Sequence, residues 1–593
     1  MIRRPPRSTQ SRSSAASDVY KRQPYIWPLL LLALLIYCQA SATLALPDYM
    51  ARIINQGILG QNTGVIFHNG LIMILIAIGG GLATVGVGYL SSRIGTGFAR
   101  DLRTMIFTKI EDFSLVEFNK FSTASLITRS TNDVQQIQMV FIMICRIALL
   151  APLMGILSTF KAYHLAPSMT WIMAVAVVAL IAIVIVLFQI VVPKFTKLQK
   201  LVDKLNLVTR EILTGLRVIK AFGKEDYETQ KFDKVNQDLT RLHLLVNRLM
   251  VIIQPVMMLI MNFMMIAIVW LGAHHIGAGD LQFGIMLAFL QYSMQAVSAF
   301  LMISIVFISL PRAAVSANRI AEVLETAIQI KDPTNPVRAH RRGGKVEFKN
   351  VTFTYPGAAE PVLHNISFVA LPGETTAFVG STGSGKSTII NLIPRFYEVT
   401  EGQVLVDDVD VRAMRQKDLR ARIGYVSQKA MLFSGTIRDN INYGNPNATQ
   451  EEIFRAAATA QALEFIKELE GKFDSSIAQA GTNFSGGQKQ RLAIARALAK
   501  NPELYLFDDS FSALDFQTDK ALRTALKEEA QGKTVLIVTQ RIATIVNADK
   551  IVVIDKGEIV GQGTHETLLK TCKVYQEIAA SQLAPEELAR VLK

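Results

Sequence analysis

Gly380-Ser381-Thr382-Gly383-Ser384-Gly385-Lys386-Ser387-Thr388 sets two framing glycines, Gly380 and Gly385, ahead of a lysine and a pair of hydroxyls. An apolar strand-like run, ETTAFV, leads into it and a helical pattern, IINLI, follows. Glycines let successive backbone N–H groups wrap an anion of phosphate size, and the start of a helix adds a favourable dipole. Lys386 supplies a compact positive charge, and the Ser387 hydroxyl is a hard oxygen of the kind magnesium takes. Strand, loop and helix in that order is the setting such a loop needs.

A second stretch, LYLFDDSFSALD from Leu504 to Asp515, is apolar for four residues and then delivers two adjacent carboxylates. A buried strand ending in Asp508 would complete a phosphate site by holding magnesium, directly or through water. Asp509, the next residue, is aimed where an attacking water would sit. A third stretch, TNFSGGQKQRLAIARAL, places Ser485, Gly486, Gly487 and Gln488 before a helical pattern. A hydroxyl beside exposed amides makes a second anion-binding surface.

The elements that must position these groups occupy the second half of a 593-residue chain in which 50% of residues are hydrophobic. Such a chain is too long for one domain and too apolar for an ordinary soluble protein. A membrane-crossing helix needs about 20 mainly apolar residues. Six runs qualify, near 24 to 46, 70 to 90, 138 to 160, 169 to 192, 249 to 271 and 283 to 310. The link after the second run carries Arg93, Arg100, Arg103, Lys109 and Lys120, and the link after the fourth is equally basic, whereas GAHHIGAGDLQ after the fifth has no Lys or Arg. Basic links stay in the cytoplasm, so both ends of the block, and the soluble half with them, are expected there. The two basic links are long and helical in pattern. At about 1.5 Å per residue they project well past the bilayer, with tips at 113 to 126 and 221 to 232 able to touch a cytosolic domain.

After Pro311 the chain turns polar and is punctuated by Pro and Gly. From Lys345 short apolar strands alternate with helical patterns, an α/β signature. The expected organisation is a sequencing-adapter scar at 1–23, an all-α six-helix transmembrane domain at 24–312, a linker at 313–344, an α/β P-loop nucleotide-binding domain at 345–580 and a tail at 581–593. The leader, MIRRPPRSTQSRSSAASDVYKRQ, lacks the apolar stretch and cleavage site of a secretory signal, and it resembles translated sequencing-adapter scar. Its basic residues inflate the net charge of +14, and the remaining positive charge clusters beside apolar runs, which favours a membrane over nucleic acid. The three cysteines are far apart, with no metal or disulfide spacing.

Together these stretches resemble the ATP-binding cassette (ABC) transporters of the six-helix exporter type, over residues 24 to 580. The resemblance implies ATP and Mg2+ as cofactors, with Gly380 to Thr388 and Ser485 to Gln488 on the nucleotide and Ser387, Asp508 and Gln428 on the metal. It adds Tyr355 of FTYPG, which in that family stacks on adenine. It also adds Gln428 of YVSQ, which senses magnesium and couples to the membrane domain, and Ser512 to Asp515 at the dimer seam. In that family the phosphate loop of one cassette faces the SGGQ surface of another, so one chain makes half of each site. Closure of the two cassettes on ATP then drives alternating access of the helices. Members that hydrolyse ATP well carry Glu after the magnesium aspartate and His after the next strand; here these catalytic positions hold Asp509 and Gln540. Shortening Glu to Asp withdraws the carboxylate by one C–C bond, about 1.5 Å, and an amide lacks the titratable ring of imidazole. Both departures fall in one half-site, as in the degenerate-site subunit of a heterodimeric bacterial multidrug exporter. Phe484, before the SGGQ serine, replaces the usual Leu and leaves the anion-binding atoms in place.

The expected partners are a second half-transporter, the bilayer of the plasma (inner) membrane and a small amphipathic substrate, with no nucleic acid. Arg146, with Asn262, Gln291 and Gln295, is polar inside a span and is either a functional group or a brace between helices. The spans as drawn hold no Asp or Glu, which argues against proton-coupled transport. Phe289, Tyr292, Met294 and Phe300 suit amphipathic cargo, lipid contact or packing alike. Two other readings stand beside the heterodimer: a homodimeric lipid or peptide flippase in which Asp509 suffices as base, and a nucleotide-gated channel or regulator.

Overall fold

The structure, a computed structural model, describes residues 25–337 and 343–582. The leader, linker residues 338–342 and the tail from 583 onward lie outside the described residues. The chain divides into two compact units, Met1–Lys109 with Thr123–Glu325, and Ile110–Ser122 with Thr326–Lys593.

The first unit is helical: α1 (Ile26–Arg52), α2 (Thr63–Glu111), α3 (Thr123–Leu165), α4 (Thr170–Phe222), α5 (Glu225–Gly277) and α6 (Phe283–Glu325). With 49 residues in α2 and 53 each in α4 and α5, these helices are about 75–80 Å long. A hydrocarbon core is only about 30 Å thick, so the basic links are indeed helical extensions. At the far end α4 turns into α5 at Gly223, whose φ of 59° and ψ of 40° is a left-handed cap that costs glycine nothing. Among the described residues five helical stretches are long and apolar enough to cross a membrane: Ile26–Ile58, Thr63–Glu111, Thr123–Leu165, Glu225–Gly277 and Phe283–Ile303. The remaining expected run, 169 to 192, falls on the first part of the 53-residue α4, and among the described residues its apolar stretch is Pro167–Ile183. Large apolar side chains such as Phe67, Val85, Ile156 and Trp270 are exposed on these helices, as a lipid-facing surface requires.

Two features correct the sequence reading. First, α1 continues past Leu46 through Pro47 and then through a π turn, Ile53–Ile58, so Asp48 lies within a candidate span. It does not stand alone. Lys161 on α3 pairs with the Asp48 carboxylate and donates to Leu44 O at 3.0 Å, while the Tyr292 hydroxyl on α6 donates to Asp48 Oδ1 at 2.6 Å. A carboxylate is tolerable in such a place when it is paired and hydrogen-bonded. Each charged side chain is about one-third exposed (34% and 32%), so screening keeps the coupling modest. Asp48→Ala and Lys161→Ala are each expected to destabilise the protein, and the double variant to lose about 1 kcal/mol less than the sum. Unfolding of the four proteins in detergent measures this, and strict additivity would show that the pair is not coupled.

Second, α6 runs through Pro311 to Glu325, beyond the expected boundary at 312. Pro311 removes one helical hydrogen bond, but Ala313, Ile320 and Val323 are buried, and that packing carries the helix on. Arg146 lies in a second π turn, Ile144–Ala148, within α3, and its side chain is exposed.

The second unit is α/β. A four-stranded sheet runs in the order β2 (Leu363–Ala370), β1 (Val346–Phe353), β4 (Glu401–Val406), β5 (Val409–Asp410). A six-stranded sheet runs β10 (Glu558–Gly563), β9 (Lys550–Asp555), β3 (Thr375–Gly380), β8 (Thr534–Val538), β7 (Leu504–Asp508), β6 (Ile423–Val426). Within it β9, β3, β8, β7 and β6 are parallel. The strands β7 and β8 are buried along their whole length, which is why they read as unbroken apolar runs rather than alternating ones. In such sheets ligands gather at the carboxyl ends of the strands, and β3, β7 and β8 end at Gly380, Asp508 and Val538.

The expected stalk tip at 113 to 126 belongs largely to this second unit. The short helix Leu115–Phe118 is closed by a capping box in which the Glu117 carboxylate accepts from Ser114 N at 2.8 Å and Ser114 Oγ at 2.6 Å. Its other oxygen accepts from Gln329 N at 3.2 Å. Val116 packs in one apolar cluster with Phe353 and Tyr397, and Asn119 Nδ2 donates to the Tyr397 hydroxyl at 3.2 Å.

Candidate functional site

The phosphate-loop motif sits where the sequence reading expects it, between β3 and helix α7 (Lys386–Leu392). Gly385 has a φ of 100°, and a Cβ there would also stand 2.5 Å from Leu363 Cδ2, so backbone conformation and close approach both demand glycine. Lys386 is buried. Its Nζ donates to Gly380 O at 3.0 Å, Ser381 O at 2.7 Å and Ser384 Oγ at 3.3 Å. Burial pushes its pKa down, and the nearby carboxylates of Asp509 and Asp508 oppose that shift.

Asp508, at the end of β7, accepts from Ser387 Oγ at 2.7 Å and is buried. Burial raises its pKa above the usual carboxylate range, against the Ser387 hydrogen bond. A buried carboxylate beside a hydroxyl is a hard-oxygen pair that fits magnesium, an ion that takes one or two protein oxygens and completes its shell with water and phosphate. Bound there, magnesium would offset the charge that desolvation penalises.

Asp509 adopts φ 46°, a left-handed conformation that short polar residues tolerate. Its N–H donates to Val538 O at 2.9 Å, and its Oδ2 accepts from Gln428 Nε2 at 3.3 Å. The fold therefore brings together two residues that lie far apart in sequence. Tyr355 is half-buried. Its hydroxyl lies 3.0 Å from Thr388 Oγ1, and its ring meets Phe353 and Tyr397 edge to face at centroid distances of 4.8 and 5.2 Å.

Ser485 caps helix α8 (Gly486–Ala499): its Oγ accepts from Gln488 N at 3.3 Å, and Gln488 Oε1 accepts from Ser485 N at 2.9 Å. This reciprocal pair fixes the SGGQ turn. Phe484 is buried against Phe465 at 6.3 Å in an apolar cluster, so the unusual aromatic is absorbed by packing. Among the described residues no hydrogen bond joins Ser485 to Gln488 with the phosphate loop. The side chain of Gln490, on α8, does donate to Ser427 O at 3.3 Å, next to Gln428.

Gln540 is exposed in the loop after β8, and its side chain makes no hydrogen bond among the described residues. Sequence reading passed over its neighbour Arg541. That guanidinium donates to Ser512 O at 2.8 Å and Leu514 O at 3.5 Å, and Ser512 Oγ donates to Asp509 O at 2.8 Å. The two departing positions, 509 and 540, are thus linked through Arg541 and Ser512, whose side chains donate to backbone carbonyls. A basic residue directly after the strand-end glutamine was the only hint.

Residues 29–300 match the model of the ABC transporter transmembrane region, and residues 363–512 match that of the ABC transporter itself. An uncharacterized ABC transporter ATP-binding protein of Mycobacterium tuberculosis is 42% identical over 93% of this chain and 96% of its own length. The chain belongs to the ABC transporter family. An ATP-dependent lipid A-core flippase of Syntrophus aciditrophicus is 32% identical over 89% of this ABC transporter and 88% of its own length. Among solved structures, a bacterial Atm1-family ABC exporter with ATP bound matches with a TM-score of 0.80 and 25% identity, over 95% of this chain and 99% of that one. The chain is thus a membrane ABC exporter, with a helical transmembrane domain followed by an α/β nucleotide-binding domain.

Proposed function

We propose that this ABC transporter is one half of a two-cassette exporter of amphipathic compounds: it holds ATP at a low-turnover site of its own and lends Ser485 to Gln488 to the competent site of a partner half-transporter. The observation that carries the reading is the pairing of Asp509 with Gln540 in one half-site. Gln428 and Asp509 share a hydrogen bond at 3.3 Å, so the carboxylate faces the site yet is one carbon short. In this reading Gly380 to Thr388 wrap the phosphates, Lys386 contributes its charge, Ser387 and Asp508 hold magnesium with Gln428 beside them, and Tyr355 takes the adenine. Held there, magnesium would supply neutralisation of charge on the phosphoryl group. The α4 run supplies a sixth span, and the basic links keep the cassette cytoplasmic.

The test is the composition of the native assembly. Tagged chain, drawn from its own membranes in mild detergent, should carry at about one-to-one stoichiometry a second six-span cassette protein with Glu and His at the positions matching 509 and 540. Recovery of copies of this chain alone would sink the heterodimer. A second reading, a homodimeric lipid flippase, draws support from the flippase name of the Syntrophus relative and from Arg146, an exposed cation inside a candidate span that could meet a lipid phosphate.

A further inference from the structure

The loop from Thr539 to Ile542, which carries Gln540, is held from two sides. On one, Arg541 reaches the carbonyls of Ser512 and Leu514, and its own N–H donates to Thr539 Oγ1 at 3.0 Å. On the other stands Gln582, just past helix α9 (Lys573–Ala580). Its Nε2 donates to Gln540 O at 2.7 Å, and its Oε1 accepts from Ile542 N at 2.9 Å. A single carboxamide thereby fixes two consecutive peptide groups.

Gln582 is itself well anchored. Its N–H donates to Ala579 O at 3.1 Å, and Ala579 and Tyr575 are fully buried in the same apolar cluster as Ile542, Ala377 and Val379. Tyr575 is further locked by a 2.7 Å hydrogen bond between its hydroxyl and His565 Nδ1. Ala377 and Val379 belong to β3, the strand that feeds the phosphate loop. One core therefore sets the phosphate loop, the Gln540 loop and the residue that clips the latter down.

We propose that Gln582 is a positioning residue for ATP turnover: it presets the Gln540 backbone so that the free carboxamide of Gln540 meets the terminal phosphate of bound nucleotide. The proposal rests on the reading that Gln540 acts on the nucleotide. A two-bond clamp on the carrying backbone does the job that packing does for a buried site residue, because the Gln540 side chain is itself exposed. Losing such bonds shifts a group by fractions of an ångström, and displacements of about 1 Å cost on the order of 100-fold in rate.

The experiment uses the full chain in lipid nanodiscs with Mg2+ and ATP. Gln582→Ala is expected to lower kcat about five- to tenfold while KM for ATP changes less than twofold. In a Gln540→Ala background, which leaves both backbone partners in place, Gln582→Ala should change nothing further. If Gln540→Ala alone leaves turnover intact, the role of Gln540 falls and this proposal with it. If Gln540→Ala slows the protein but Gln582→Ala does not, or slows it equally in both backgrounds, the positioning role alone is overturned.

Discussion

The variant Asp509→Glu with Gln540→His, purified as the full chain, is expected to hydrolyse ATP at least about 100-fold faster than the natural sequence, with Asp509→Glu alone recovering most of that gain. The estimate follows from reach: one C–C bond withdraws the carboxylate by about 1.5 Å, and misplacement near 1 Å costs about 100-fold, equal to about 2.7 kcal/mol of barrier. The backbone adds a second, opposite effect. At φ 46° Asp is less strained than Glu, because short polar side chains visit the left-handed region more readily. Asp509→Glu should therefore lower the thermal midpoint slightly, by the equivalent of a few tenths to about 1 kcal/mol, while it raises the rate. Phosphate release and a thermal melt on the same preparation read both. Natural protein that turns over as fast as the doubly changed variant would falsify the account of positions 509 and 540.

The parts of this molecule legible in its sequence are those whose determinants lie close together along the chain. The phosphate loop is such a case: Gly380 to Thr388 is contiguous, its strand and helix flank it directly, and Gly385 is required locally by its φ of 100°. The buried strands ending at Asp508 and Val538 announce themselves by four or five apolar residues in a row. The capping pair of Ser485 with Gln488 is likewise an i, i+3 relation.

What stayed hidden depends on returns of the chain from far away. Nothing near Gln582 in sequence announces that it reaches back to Gln540 and Ile542, since the partners are backbone atoms that any residue could supply. The apolar run near 24 to 46 stops short of Asp48, and Pro47 gives no local sign that the helix goes on. Lys161 and Tyr292, from α3 and α6, make the continuation possible. Pro311 misled in the same way, because burial of Ala313, Ile320 and Val323 outweighs one lost helical bond. Tyr355 shows a subtler limit. Its position in the motif was readable, yet its contacts with Phe353, Tyr397 and Thr388 come from three separate elements.

In an assembled pair of unlike cassettes, Ser485→Ala in this chain is expected to lower turnover about 100-fold, whereas Lys386→Ala in the same chain should lower it less than tenfold. The asymmetry follows from where each group works in the proposed assembly. Ser485 serves the partner's competent site, where a hydroxyl donating to phosphate oxygen forms a charge-assisted bond of about 1.5–3 kcal/mol. Lys386 serves this chain's own slow site, which contributes little to the measured flux. Ser485→Ala also removes the helix cap that Gln488 N now donates to, a loss of about 1 kcal/mol. That is too small to unfold a cassette whose α8 is buried along most of one face. Ser485→Thr, which keeps the hydroxyl, should restore most of the rate and so separates phosphate contact from capping. In an assembly of two identical chains every site would contain both residues, and the two alanine variants would fail together. Steady-state ATPase assays on the co-purified pair therefore distinguish an unlike pair from a homodimer: equal losses from Ser485→Ala and Lys386→Ala would mean that the competent site uses this chain's own phosphate loop.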